Sequence, residues 1–151
     1  MNKPLTLAAI LLAGLSLTAH AATAAPAKDP IQARKHVFKE YKKSFGAMGD
    51  MVKGKTAWNK DEFAKYAANM ETLSSQPWQY FPAGSDKGKT EARAEIWTKP
   101  AEFKKQADSH QAKIAELAKV AATATTLADV KPAFGAAGQT CKACHDQFKK
   151  D

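Results

Sequence analysis

The chain keeps both of its cysteines for one stretch near its C-terminal end, "TCKACHDQFKKD". Cys141 and Cys144 are three residues apart and His145 follows directly. On a helix these positions are i, i+3 and i+4, so all three side chains project from roughly one face. Cys-x-x-Cys-His is the attachment motif of c-type haem. The spacing has a chemical reason: each thiol adds across one haem vinyl group, and the next residue, His145, then reaches the iron from the same side. Ligation needs the imidazole neutral, with its other ring nitrogen facing an acceptor or water. This reading makes haem c, joined through Cys141 and Cys144, the cofactor and His145 the metal ligand.

Three rivals use the same residues. A thioredoxin-like redox pair needs a βαβ context, which the sequence lacks. A zinc site needs a fourth ligand beyond the two cysteines and His145, and His110 could supply it. The last rival is a plain pair of buried thiols. A disulfide within Cys-x-x-Cys closes a very small loop, adds little chain-entropy stabilisation and is awkward on a helix. Use of both cysteines, the immediate histidine, an all-helical chain and an export signal favour haem.

The export signal is "MNKPLTLAAILLAGLSLTAHAATAAPA". Lys3 forms the basic start, Leu5 to Leu17 the apolar run, and small residues follow, as in a cleaved secretory leader. The expected leader is residues 1–21, with cleavage as late as residue 27. The apolar run is short for a transmembrane helix, and no other stretch could span a membrane. A mature chain of about 125–130 residues, numbered 22–151, makes one domain with room for a real core. The expected compartment is the periplasm.

The net charge is +8 for the full chain; removing residues 1–21 takes away one lysine and no acid, leaving +7. The basic residues are scattered, with doublets at Lys42-Lys43, Lys104-Lys105 and Lys149-Lys150. No cationic run interleaved with aromatics points to nucleic acid.

Four amphipathic helices must position the motif, and no period-2 strand pattern is present. The first opens with Asp29 as N-cap and Pro30 in the first turn. Its apolar face is Ile31, Phe38, Tyr41, Phe45, Met48 and Val52, and Gly54 stops it. The second is capped by Asn59 with Glu62 three residues on, and carries Phe63, Tyr66, Ala67, Met70 and Leu73. "QPWQYFPAGSDKGKT" follows, too rich in proline and glycine for regular helix. The third has Pro100 in its first turn and places Phe103, Ala107, His110, Ile114, Leu117 and Ala121 at alternating steps of four and three. The fourth is expected to start near Asp129 and runs through Val130, Phe134, Ala137, Cys141, Cys144 and Phe148. Gly135 and Gly138 would let something bulky approach it. The fold expected is an all-α four-helix bundle with one long connection between the second and third helices, the haem held by the C-terminal helix.

With these residues in place, the chain resembles the cytochrome c′ family, the class II c-type cytochromes. The likeness rests on the leader, the bundle and Cys-Lys-Ala-Cys-His near the end. It extends to Arg34 in the first helix, Pro77-Trp78, Glu95-Ile96-Trp97 and Ala133-Phe134-Gly135, all in the family's order. The resemblance implies a five-coordinate haem with histidine on one side and a packed apolar residue from the first helix on the other, here Phe38. It implies that Arg34 lies near a haem propionate and that Lys149 lies on the histidine side, where some members have arginine. It also implies a homodimer packed through the first two helices, and binding of nitric oxide and carbon monoxide, with nitric oxide tolerance or electron transfer as its use. No enzyme activity is expected, because a peroxidase needs a distal acid–base group.

Phe38 falls on the stripe of Ile31 and Phe45 and so faces the core, where a phenyl ring offers neither a ligand nor a hydrogen-bond donor. Bound oxygen gains negative charge and needs a donor more than carbon monoxide or nitric oxide does. The alternative is a low-spin, six-coordinate electron carrier with a redox partner protein; it lacks a methionine between Ile31 and Ala47. His110 is the spare ligand to watch, although a satisfied buried histidine is the expected outcome. His36 points away from Phe38 and is expected at the surface, and His20 leaves with the leader.

Overall fold

The computed structural model describes residues 29–150. The expected leader and its cleavage sites lie outside the described residues. Five α-helices follow in order: α1 Pro30–Val52, α2 Lys60–Ser74, a short α3 Glu95–Thr98, α4 Pro100–Thr123 and α5 Leu127–Phe148. A 3₁₀ turn spans Pro77–Tyr80. Among the described residues the only extended pairing is an isolated antiparallel bridge between Ala92 and Lys149. The four long helices make the all-α bundle that the periodicity predicts, and α3 sits inside the long connection.

The caps follow the sequence signals. Asp29 Oδ1 accepts from the backbone N–H of Gln32 at 3.0 Å, and Pro30 needs no N–H partner in the first turn. Asn59 Oδ1 accepts from the N–H groups of Asp61 and Glu62, both at 3.1 Å. Gly54, just beyond α1, takes φ 71°, the left-handed conformation that favours glycine at a helix end. One boundary differs from expectation: α5 begins at Leu127, not near Asp129. Asp129 is not its cap but lies in the first turn, and its carboxylate reaches back to accept from the N–H groups of Thr126 at 2.8 Å and Thr125 at 3.0 Å.

The core gathers Met48 from α1, Phe63 and Met70 from α2, Ile114 and Leu117 from α4, and Val130 from α5, all fully buried. Each such side chain contributes on the order of 1.5–3 kcal/mol by leaving water. The helices do not share this packing evenly. α4 packs against α5 and α2, and α1 packs against α2, but α1 and α5 touch little. Their contact is concentrated where Phe45 stacks on Phe134, ring centroids 4.2 Å apart at 10°. Beyond that stack, toward the end of α5, the two helices leave a slot.

Candidate functional site

The slot is a cavity of about 740 Å³, and Cys141, Cys144, His145, Arg34, Phe38 and Lys149 all line it. Six residues singled out from sequence, on the first helix, the last helix and the residue just beyond it, therefore meet around one space. α1 and α5 run antiparallel, so the bundle itself brings residue 38 opposite the end of α5.

On the α5 wall both cysteines are free and half-buried. Burial raises the pKa of both; that of Cys144 is pushed up to about 11, with the neighbouring Cys141 adding to the effect. The groups therefore stand as neutral thiols. His145 is pushed below its ordinary value, by partial burial first and by the Lys149 ammonium second, toward the neutral form that can ligate a metal. The zinc alternative finds no support: among the described residues no three His, Cys, Asp or Glu side chains converge on a metal position.

Arg34 is buried, and its guanidinium is held by the connection between α2 and α4. Nη1 donates to Tyr80 O and Ser85 Oγ, both at 2.9 Å. Nη2 donates to Ser85 O and Thr90 Oγ1, both at 2.7 Å. The guanidinium also lies 4.6 Å from the Phe81 ring centroid. Four hydrogen bonds to one loop make Arg34 a clamp as well as a cavity-lining cation, which the sequence did not signal. The same loop is tied to α5. Lys149 Nζ pairs with Glu91 Oε2 at 3.0 Å, and Lys150 N–H donates to Glu91 O at 2.7 Å. Arg34 from α1 and Lys149 from the end of α5 thus hold one strap across the end of the cavity.

On the α1 wall the Phe38 ring packs against Tyr41 at 6.0 Å and Trp78 at 6.3 Å between centroids. Trp78 comes from the 3₁₀ turn, where its Nε1–H donates to Ser74 O at 2.6 Å. His36 is exposed, as expected. His110 is buried, with Nδ1 2.8 Å from Thr140 Oγ1. Sequence reasoning placed Tyr41 in the core without noticing its hydroxyl, which is buried with no hydrogen-bond partner in the protein. A fully enclosed phenol oxygen beside a cavity is a cost unless something fills the space.

These features fit a haem. The volume suits a cofactor pocket, aromatic rings from α1, α4 and the connection line it, and two neutral thiols with an imidazole stand along one wall. Cys141 and Cys144 would hold the group covalently, His145 would face its iron, and Phe38 would cover the opposite side. When bound, haem supplies an iron centre able to take a small axial ligand or exchange an electron.

Fold and site together define a c-type cytochrome built on a helical bundle. The family model for cytochrome c′ matches residues 29–149. The cytochrome c′ of Shewanella frigidimarina is 41% identical, covers 82% of this chain and 95% of its own, and aligns with a TM-score of 0.78. Two solved forms of the Alcaligenes xylosoxidans cytochrome c′ align with this chain at the same TM-score. One is a nitric oxide complex of a leucine variant, 32% identical, covering 82% of this chain and 94% of that one, TM-score 0.75. The other is a carbon monoxide-bound variant, 33% identical, covering 85% and 98%, TM-score 0.75. This chain belongs to the cytochrome c′ family, and its cofactor is haem c.

Proposed function

We propose that this protein is a periplasmic haem c protein whose iron is five-coordinate, held by His145, and binds nitric oxide and carbon monoxide. Cys141 and Cys144 carry the thioether bonds. Phe38 covers the sixth position, Arg34 stands toward a propionate with its one uncommitted donor, Nε–H, and Lys149 lies on the His145 side. The observation that carries this reading is Phe38, which faces the cavity across the slot from the helix of His145, wedged by Tyr41 and Trp78. It has no ligating atom and no donor for a bound oxygen, so ligands that need no donor are favoured. It offers no acid–base group either, which supports a binder rather than an enzyme. The relatives solved with nitric oxide and with carbon monoxide support the same ligands here.

The leader supports export to the periplasm, and no helix among the described residues is long and apolar enough to cross a membrane. The mature chain, from residue 22 or a few residues later, works as a homodimer and serves nitric oxide tolerance or electron transfer.

An absorption spectrum of the exported, haem-loaded protein tests the reading. It is recorded oxidised, reduced, and reduced with each gas. A high-spin reduced spectrum that shifts with carbon monoxide or nitric oxide is the expected result. A low-spin spectrum indifferent to gas would sink it and point to a sixth protein ligand, with His110 or Met70, both lining the cavity, as candidates.

A further inference from the structure

The cavity has a cationic lip. Lys35, Lys39 and Lys42 line it from one side of α1, and all three are exposed. Lys35 donates to Lys89 O at 2.6 Å and so belongs to the strap. Lys39 and Lys42 make no hydrogen bond or ion pair among the described residues. On the opposite side the cations are paired: Lys142 with Asp146 within α5 at 2.5 Å, and Lys149, just beyond α5, with Glu91 of the strap.

The position of the two unpaired lysines along the slot can be read from the helix pairing. A Cβ at Gly138 would lie 3.1 Å from Phe45 Cζ, so those residues are level. α1 and α5 are antiparallel and rise equally per residue. Stepping back along α1 from Phe45 therefore matches stepping forward along α5 from Gly138. Lys42 is then level with Cys141, and Lys39 with Cys144. Arg34, Lys35 and the strap lie at the other end. The vinyl carbons that take up thiols and the carboxylates of haem are on opposite halves of the ring. The thioether half carries no anion, so nothing on the cofactor would neutralise Lys39 and Lys42.

We propose that Lys39 and Lys42 form the docking surface for an acidic electron-transfer protein, placed at the thioether edge of the haem. The inference rests on the haem c reading above. Exposed, unpaired like charges at the lip of the cavity destabilise the free protein slightly through mutual repulsion. Against an acidic face they steer encounter and fix orientation. The exchange moves one electron: the partner is oxidised by one electron and ferric iron becomes ferrous, with no bond or proton transferred. An overall positive charge would attract acidic partners anywhere on the surface, so the claim is about place.

The test is stopped-flow reduction of the ferric, haem-loaded protein by two donors of opposite charge. One is an acidic flavodoxin hydroquinone, and the other is hexaammineruthenium(II). The double variant K39Q/K42Q should slow reduction by flavodoxin on the order of tenfold at low ionic strength. The difference should fade above about 0.5 M salt as screening shortens the range. Reduction by the ruthenium cation should hold steady or quicken. A charge-matched control, K60Q/K65Q on α2, should leave the flavodoxin rate near wild type. If the control slows it as much, or if K39Q/K42Q does nothing, the docking surface is refuted. A protein with no haem band would overturn the haem reading, and this inference with it. A coloured protein whose rate ignores Lys39 and Lys42 would overturn this inference alone.

Discussion

His110 Nδ1 lies 2.8 Å from Thr140 Oγ1, and Thr140 Oγ1 in turn donates to Ala137 O at 2.7 Å. The hydroxyl proton is thereby committed to the carbonyl. Thr140 must accept from the ring, so Nδ1 carries the proton of a neutral imidazole and Nε2 keeps its lone pair. One hydroxyl on the haem-bearing helix thus sets the tautomer of a buried histidine on α4, one residue before the first attachment cysteine.

Burial, and secondarily the nearby His145, hold the His110 pKa down at about 4, against an ordinary 6.5. The unfolded chain takes up this proton near pH 6.5 and the folded chain does not until about pH 4. Stability contributed by the neutral ring is therefore complete above pH 6.5 and declines as the pH falls from 6.5 to 4, by at most about 3 kcal/mol. His110→Leu should flatten that part of the profile. Urea unfolding midpoints of both proteins at pH 7 and pH 5 check this. An equal loss in both would remove His110 from the account.

The clamp at Arg34 predicts a difference between charge and shape. Arg34→Lys keeps the cation but loses the planar fork that reaches Tyr80, Ser85 and Thr90 together. It should cost about 2–4 kcal/mol, since buried acceptors are left without donors. It should also open the strap. Limited proteolysis should cut first between residues 82 and 90 in the variant, with the wild type resisting under the same conditions. Unchanged proteolysis with a lowered melting temperature would mean the fork stabilises the bundle without holding the strap.

How far the sequence reached follows from what periodicity and spacing encode. Apolar steps of three, four and seven report a helix face, so α1, α2, α4 and the face of α5 were legible. Cys141, Cys144 and His145 were legible because their spacing is itself the chemistry. The start of α5, expected near Asp129, falls two residues earlier at Leu127, where the Asp129 carboxylate accepts from the Thr126 N–H from inside the first turn, a link the apolar spacing does not encode. The strap was illegible because its bonds span long stretches of chain: Arg34 to Ser85, Lys149 to Glu91. Tyr41 read as ordinary core because stripe position says nothing of where a hydroxyl ends up.

Phe38 bears directly on the proposed function. Its ring is partly exposed and packs on Tyr41 and Trp78, so Phe38→Ala should cost less than a fully buried phenylalanine, about 2–3 kcal/mol. With haem in place it should speed carbon monoxide association, because the wall over the sixth position is gone. Flash photolysis of the carbon monoxide complex measures this. A variant that folds and rebinds at the wild-type rate would show that Phe38 does not cover the ligand site.

Two glycines on α5 predict opposite signs. Both lie in the helix, where replacing glycine by alanine gains up to about 1 kcal/mol from propensity alone. At Gly135 a Cβ meets nothing within 4 Å, so Gly135→Ala should realise that gain. At Gly138 the Cβ would come within 3.1 Å of Phe45 Cζ and 3.7 Å of Phe45 Cε1. Phe45 has little freedom to retreat, because its ring stacks on Phe134 with centroids 4.2 Å apart. Gly138→Ala should therefore push α1 and α5 apart at their main contact, costing about 1–3 kcal/mol of overpacking that outweighs the propensity gain. Thermal melts of the two variants beside wild type decide the matter. If Gly138→Ala also stabilised, the Phe45–Phe134 stack would be loose, and the slot above it would not be held by that contact.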